Sequence, residues 1–292
     1  MSGVLKIPSK YDICVSQSWF TGRGHGISGH IYEIIDYYLL LKNHYNVCIL
    51  LTEHYDIIQK IIEYKYDLST DEIDELMSDT IFKVSPSIVI CKNILIVDGY
   101  YGLSNSVIKA DNIFMFACPL NNNFSRQQNH YILQDYRIYG ESKNTINYIK
   151  KINFDRIRKP VKSKSNILLY GTKNCRLIDD ELYDKISMMG NEIICITDEY
   201  YNDTDVIKYV MPPVDNLFEL FNTYVYTPVS VQFDCSPRFI AECKYFGKNV
   251  IYMIDYEDIG LYWRQYDIDN NFTGLFLQES DEIVGIIGDL IG

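Results

Sequence analysis

The sequence predicts an α/β protein built from two doubly wound units of parallel sheet. Three observations carry this expectation. Short apolar runs alternate with segments at helical spacing along the chain, the grammar of βαβ units. The pattern runs to about Pro160 and restarts at Asn166. The 292 residues suffice for two domains at roughly 100–200 residues each.

In the first half, Tyr11 to Ser16 reads as a strand after a Pro-Ser-Lys lead-in. Ile31 to Leu41 carries apolar residues at helical spacing after a glycine-rich loop. Asn46 to Leu51 is a β-branched second strand. Tyr55 to Tyr66 and Asp71 to Ser78 read as helices, the second with an N-cap signal in Ser69-Thr70-Asp71. Ile81 to Val84 and Ile88 to Cys91 form either a hairpin-like insertion or two short strands. Ile94 to Val97 is a buried strand running into Asp98-Gly99, and Ile113 to Ala117 is another, stopped by Pro119. His130 to Leu133 reads as the last strand of this half.

The second half repeats the order. Asn166 to Tyr170 is a strand, with Gly171-Thr172-Lys173-Asn174 as its loop. Asp179 to Met189 is a helix, Glu192 to Ile196 a strand, and Val206 to Val210 a short one before Pro212-Pro213. Val214 to Asn222 reads as a short helix, Tyr224 to Tyr226 as a strand, and Pro237 to Phe246 as a helix. Val250 to Ile254 is a strand and Ser280 to Leu290 a closing helix. The expectation is two Rossmann-like domains, residues 1–160 and 161–292, with parallel sheets facing a cleft. Ligands of such sheets sit at the carboxyl ends of the strands.

Composition narrows the class. Hydrophobic residues at 47% and charged residues at 23% exclude a disordered chain. No run of about 18 apolar residues offers a membrane span, and the first ten residues lack the apolar core of a secretory signal. The expected location is the cytoplasm, or a host's cytoplasm for a viral protein. Eight cysteines without a CxxC pair read as reduced core thiols, and five histidines without metal spacing argue against a structural zinc. The richness in Tyr, Ile, Asn and Lys looks like coding bias from an AT-rich genome. The net charge of −12 is uneven: residues 1–160 hold 17 Lys+Arg and 17 Asp+Glu, residues 161–292 hold 10 and 22. A basic run of Lys150, Lys151, Arg156, Arg158, Lys159, Lys162 and Lys164 falls near the junction. It is either a solvated linker or a basic rim facing an anionic ligand.

Between the first strand and first helix lies Gly22-Arg23-Gly24-His25-Gly26-Ile27-Ser28-Gly29-His30. Gly24-x-Gly26-x-x-Gly29 matches the dinucleotide fingerprint in form. Its first glycine comes about eight residues after the strand, and Glu53, the candidate ribose acid, lies 29 residues beyond Gly24 instead of about 20. Three readings stay open: a nicotinamide or flavin site, a loop that packs against sugar or phosphate, and a structural turn. His30 is a candidate base or hydrogen-bond donor lining the cleft.

The most specific region is Thr227 to Tyr252. A loop carries Asp234 and Ser236, a helix follows with Arg238, and Glu242 lies eight residues after Asp234. The helix ends at Gly247, and a strand follows at once. This resembles the donor-site signature of GT-B glycosyltransferases, two acids separated by seven residues. The family usually has Glu first, followed by Gly-Phe, where this chain has Asp-Cys-Ser. The resemblance implies that Glu242 accepts hydrogen bonds from both ribose hydroxyls of a nucleotide-diphosphate sugar, most simply a UDP-sugar. It implies that Gly171, Lys173 and Arg176, after the first strand of the second domain, meet the diphosphate. Two cations there replace a metal, so no metal or other cofactor is expected. Arg238 either pairs with phosphate or forms an ion pair with Asp234 or Glu242.

The layout is similar to that of phage DNA glucosyltransferases, which makes a hydroxymethylated base in DNA a possible acceptor. Asp135, in Asp135-Tyr136-Arg137, resembles their strand-end base, and Asp98 is its rival. The alternatives are an NAD(P)-dependent oxidoreductase built on the glycine loop, or a non-catalytic sugar-nucleotide-binding module.

Overall fold

A computed structural model describes residues 3–17, 29–51, 55–83, 88–97, 107–116, 129–135, 145–148, 152–170, 180–189, 192–197, 202–227, 238–253 and 282–292. The protein is α/β with parallel sheets. It divides into two compact units that interleave in sequence. The first comprises Met1–Gln59, Leu68–Asn153 and Phe276–Gly292; the second comprises Lys60–Asp67 and Phe154–Leu275. The division is therefore not a single cut at residue 160.

In the first unit, β1 (Val4–Lys6) and β2 (Ile13–Ser16) lead into α1 (Gly29–Leu41), β3 (Val47–Leu51), α2 (Tyr55–Lys65, whose residues from Lys60 on belong to the second unit), α3 (Thr70–Ser78) and β4 (Thr80–Phe82). Then come β5 (Ile88–Ile90), β6 (Asn93–Ile96), β7 (Val107–Lys109), β8 (Asn112–Phe116), β9 (His130–Asp135) and β10 (Ile146–Tyr148). Seven strands form one parallel sheet in the order β10-β9-β8-β6-β2-β3-β4. Read in chain order this is 3-2-1-4-5-6 with a seventh strand added, the dinucleotide-fold order. β2, β3 and β6 are buried at every position. Continuous apolar runs such as Val47-Cys48-Ile49-Leu50-Leu51 are what a sheet covered on both faces requires.

Four expectations change here. Val4–Lys6 is a strand that the sequence reading passed over. The 81–91 region is not a hairpin: β4 pairs with β3 in the large sheet, while β5 lies in a separate sheet, β1-β5-β7, and both pairings are parallel. Each strand of the small sheet immediately precedes β2, β6 or β8, and the neighbour order is the same. Three strands of the large sheet thus begin with a short detached segment, and Val89 enters the same core as Cys14, Ile94 and Met115. Third, β10 follows β9, so His130–Asp135 is not the last strand. Lastly, the closing helix, Glu282–Ile291, falls in the first unit. Tyr45 donates to the carbonyl of Val284 at 3.1 Å, beside Gly288. The signal at Ser69 holds: its Oγ accepts from the Glu72 amide, and the Glu72 carboxylate accepts from the Ser69 amide at 2.9 Å, a capping box.

In the second unit, β11 (Ile167–Tyr170), α4 (Asp180–Ser187), β12 (Ile193–Ile196), β13 (Ile207–Val210), β14 (Thr223–Tyr226), α5 (Arg238–Tyr245) and β15 (Asn249–Tyr252) precede α6 (Glu282–Ile291) in the chain. The sheet is all parallel in the order β13-β12-β11-β14-β15, which in chain order is 3-2-1-4-5. Its core is Ile167, Leu169, Leu182, Ile186, Ile193, Cys195, Ile207 and Val225. The helix expected over Val214 to Asn222 is a single 3-10 turn, Leu217–Glu219. Asn216 precedes it in the left-handed region at φ 51°, which a continuous right-handed helix excludes.

Candidate functional site

In an open parallel sheet, the loops on either side of the point where strand order reverses leave a crevice at the carboxyl edge. In the second unit the reversal lies between β11 and β14. β11 ends at Tyr170 and runs into Gly171-Thr172-Lys173-Asn174-Cys175-Arg176. β14 ends at Tyr226 and runs through Thr227 into the segment with Asp234 and Ser236. Gly171, Lys173, Arg176, Asp234 and Ser236 themselves lie outside the described residues. Their flanking strands are nevertheless the pair that the topology picks out. Thr227 is buried, and its Oγ1 makes no hydrogen bond among the described residues.

Arg238 and Glu242 are described. They lie one turn apart on α5, on its buried face with Ile240, Ala241 and Cys243. The Arg238 Nε donates to Glu242 Oε1 at 2.6 Å. Glu242 Oε2 accepts from Lys65 Nζ at 2.7 Å. Glu242 is fully buried, with Lys65 and Arg238 nearly so. Of the pairings open for Arg238, the ion pair with Glu242 is present among the described residues. Burial pushes the Glu242 carboxyl up, but the Lys65 ammonium and the Arg238 guanidinium outweigh it and hold the group below the usual glutamate range. The carboxylate is fully buried, so ribose hydroxyls reach it only if a neighbouring group gives way.

Lys65 is the residue that sequence reasoning missed. It stands 177 residues from Glu242 in the chain, at the last turn of a helix that reads as ordinary. Its segment is fixed by the junction: Arg158 N donates to Lys65 O at 2.8 Å, Asp67 N donates to Arg156 O at 2.7 Å, and Tyr66 bridges Ile157. The same stretch reaches the far end of α5. Phe154 stacks on Tyr245 at 4.5 Å, and Tyr245 donates to Asp155 at 3.1 Å. Within the basic run, Arg156 and Arg158 thus sit on backbone with structural duties. Lys248, just past α5, is buried and donates to Ser163 Oγ and to the carbonyls of Phe218 and Phe221.

In the first unit the reversal lies between β2 and β6. β2 ends at Ser16, whose Oγ donates to Leu50 O at 3.0 Å, and Gln17 beyond it is buried. The chain then enters the segment carrying Gly24 and Gly26, which lies outside the described residues. Gly29 and His30 open α1. β6 is followed by Val97 and then by Asp98, also outside the described residues. Asp135 ends β9, paired in register with Tyr148 of β10 and two strands beyond β6.

Among the described residues, no group of three His, Cys, Asp or Glu side chains is placed to hold a metal ion. Cys14, Cys48, Cys91, Cys195 and Cys243 are free thiols, and burial pushes Cys91 up to about 12. No described helix is long and apolar enough to cross a membrane. No protein-family model matches the chain, and no curated protein sequence matches it significantly.

Proposed function

We propose that the protein is a metal-independent glycosyltransferase of the GT-B type. It moves a sugar from a nucleotide-diphosphate sugar, UDP-sugar first among the donors, to an acceptor hydroxyl. One observation carries the reading. The two segments that resemble a donor-binding signature follow the two strands flanking the order reversal of the second sheet, where ligands of such sheets bind.

The chemistry follows from the residue types. The acceptor oxygen attacks the anomeric carbon, and the bond from that carbon to the diphosphate oxygen breaks. The acceptor proton passes to a base, for which Asp98, Asp135 and His30 are the candidates. Lys173 and Arg176 neutralise the charge that develops on the leaving diphosphate. Arg238 and Glu242 fix the first turn of α5. The near-neutral first half tolerates an anionic acceptor such as DNA, whereas the acidic second half disfavours wrapping by both.

A second reading has one observation in its favour. The first sheet has the full 3-2-1-4-5-6 order, and its glycine-rich segment leaves β2 at the reversal. An NAD(P)-dependent oxidoreductase would use that position. Calorimetric titration with UDP, GDP, ADP and NADH, followed by mass-spectrometric detection of sugar release from the matching donors, separates the readings. Binding of a nucleoside diphosphate with turnover of its sugar is expected. Binding of NADH alone overturns the glycosyltransferase reading, and binding without turnover leaves a sugar-nucleotide-binding module.

A further inference from the structure

We infer that Lys65 is a positioning residue of the nucleotide site, acting through Glu242 on the first turn of α5. The inference rests on the glycosyltransferase reading above. Its observations are independent of that reading. Lys65 lies outside the βαβ repeat that builds the second sheet, yet its ammonium meets Glu242 Oε2 at 2.7 Å where the carboxylate is fully buried. Its main chain is held as well: its carbonyl takes the Arg158 amide, and the next residue bridges Ile157. The cation is therefore delivered from a fixed anchor and not from a loose surface chain. On the other side of the same carboxylate, Arg238 Nε is held at 2.6 Å.

Glu242 thus ties the anchor to the guanidinium of the residue that opens α5. The far end of α5 is tied to the neighbouring stretch by the Phe154–Tyr245 stack and the Tyr245–Asp155 hydrogen bond. The helix is held at Glu242, and through it at Arg238, by Lys65, and at Tyr245 by Phe154 and Asp155, none of which belongs to its sheet. A helix whose amino end faces a diphosphate works only if that end is held within a fraction of an ångström, and a buried charge-assisted contact is a rigid way of holding it. Removing the ammonium leaves α5 tied at its far end and loosened at the end that matters for binding.

The test compares full-length wild type, Lys65→Met and Lys65→Arg, with UDP as the probe. Calorimetry reads UDP affinity, and hydrogen–deuterium exchange reads residues 238–245 against α4 in the same unit. Lys65→Met is expected to weaken UDP binding about tenfold or more and to raise exchange in α5, leaving α4 unchanged. Lys65→Arg, which keeps the cation, should restore most of the affinity. A folded Lys65→Met that binds UDP as wild type does overturns the inference alone. So does a Lys65→Met whose α4 and α5 loosen equally, since that is a general loss of stability. Wild type that binds no nucleoside diphosphate overturns the glycosyltransferase reading and this inference with it. If Lys65→Met does not fold, Lys65→Gln, which keeps a donor without the charge, carries the same comparison and the same refuting outcomes.

Discussion

Glu242→Gln is close to isosteric and removes one charge from a fully buried site. In the wild type the carboxylate bridges the Lys65 ammonium at 2.7 Å and the Arg238 Nε at 2.6 Å. The amide removes the buried anion that both cations share. Breaking a buried pair in this way costs about 3–5 kcal/mol, because the desolvation of the remaining charge is no longer compensated. The expected signature in urea is a lower midpoint at unchanged slope for the transition of the second unit. At roughly 3–4 °C per kcal/mol, the melting temperature should fall by about 10–20 °C. The pH dependence fixes the cause. The Glu242 carboxyl is held below its ordinary value in the folded state, so its contribution is fully present above the unfolded value, about 4.3. That contribution is lost as pH falls through the folded value. The gap between wild type and Glu242→Gln should be full at pH 7 and should close as the pH drops below about 4. A gap under about 1 kcal/mol at pH 7, or one that persists unchanged at pH 3, refutes the reasoning.

Three more outcomes are expected. Gly247 ends α5 at φ 66°, with its amide on Lys244 O and the Lys248 amide on Cys243 O; Gly247→Ala should cost about 1–2 kcal/mol in urea unfolding through backbone strain alone, since nothing crowds the added Cβ. Lys248→Met should cost about 2–4 kcal/mol by stranding the carbonyls of Phe218 and Phe221, which a loss confined to a surface charge would not do; thermal unfolding reads it. Sugar transfer should survive EDTA, and a complete loss restored by manganese would show that Lys173 and Arg176 do not carry the leaving-group charge.

How far the sequence could be read depended on whether the signal was local. Strands buried on both faces announce themselves as apolar runs, and β3, β6, β11 and β12 stand within a residue of where periodicity puts them. The Ser69–Glu72 box spans four residues and was legible. Val4–Lys6 was not, because three residues with alternating exposure make too short a pattern, and its partner Ile88–Ile90 is some 80 residues away. The helix expected at 214–222 had apolar residues in the right places but Asn216 in a left-handed conformation, which composition does not reveal. Lys65 was invisible for a different reason. Its helix is amphipathic in the ordinary way, and only the path of 60–67 into the second unit brings the ammonium to Glu242. The Arg238–Glu242 pair, at i and i+4, was legible as one of three pairings because it lies within one helix turn.

The two edges of each sheet are built differently, and the difference bears on where chemistry belongs. At the amino edge of the first sheet, polar residues preceding the strands bond to one another. Asn93 Nδ2 donates to Asp12 O, Asn112 Nδ2 to Asn93 Oδ1, and Asn129 Nδ2 to Ala110 O, each at 2.9 Å. The Asp12 carboxylate takes Lys92 at 2.8 Å and Asn46 at 3.1 Å. The second sheet repeats the device with Asn166 Nδ2 donating to Glu192 Oε2 at 2.9 Å and Thr223 Oγ1 donating to Asn222 Oδ1 at 3.1 Å. These side chains satisfy strand starts and each other, which is what buried or half-buried polar groups need. At the carboxyl edges, four strands run in sequence into segments rich in glycine or charge: after β2, β6, β11 and β14 come Gly24, Asp98, Lys173 and Asp234. Polar groups already committed to a fold are poor candidates for binding. The segments that follow the carboxyl edges are the better candidates, above all in the second sheet, where a buried carboxylate and two cations brace the helix after β14.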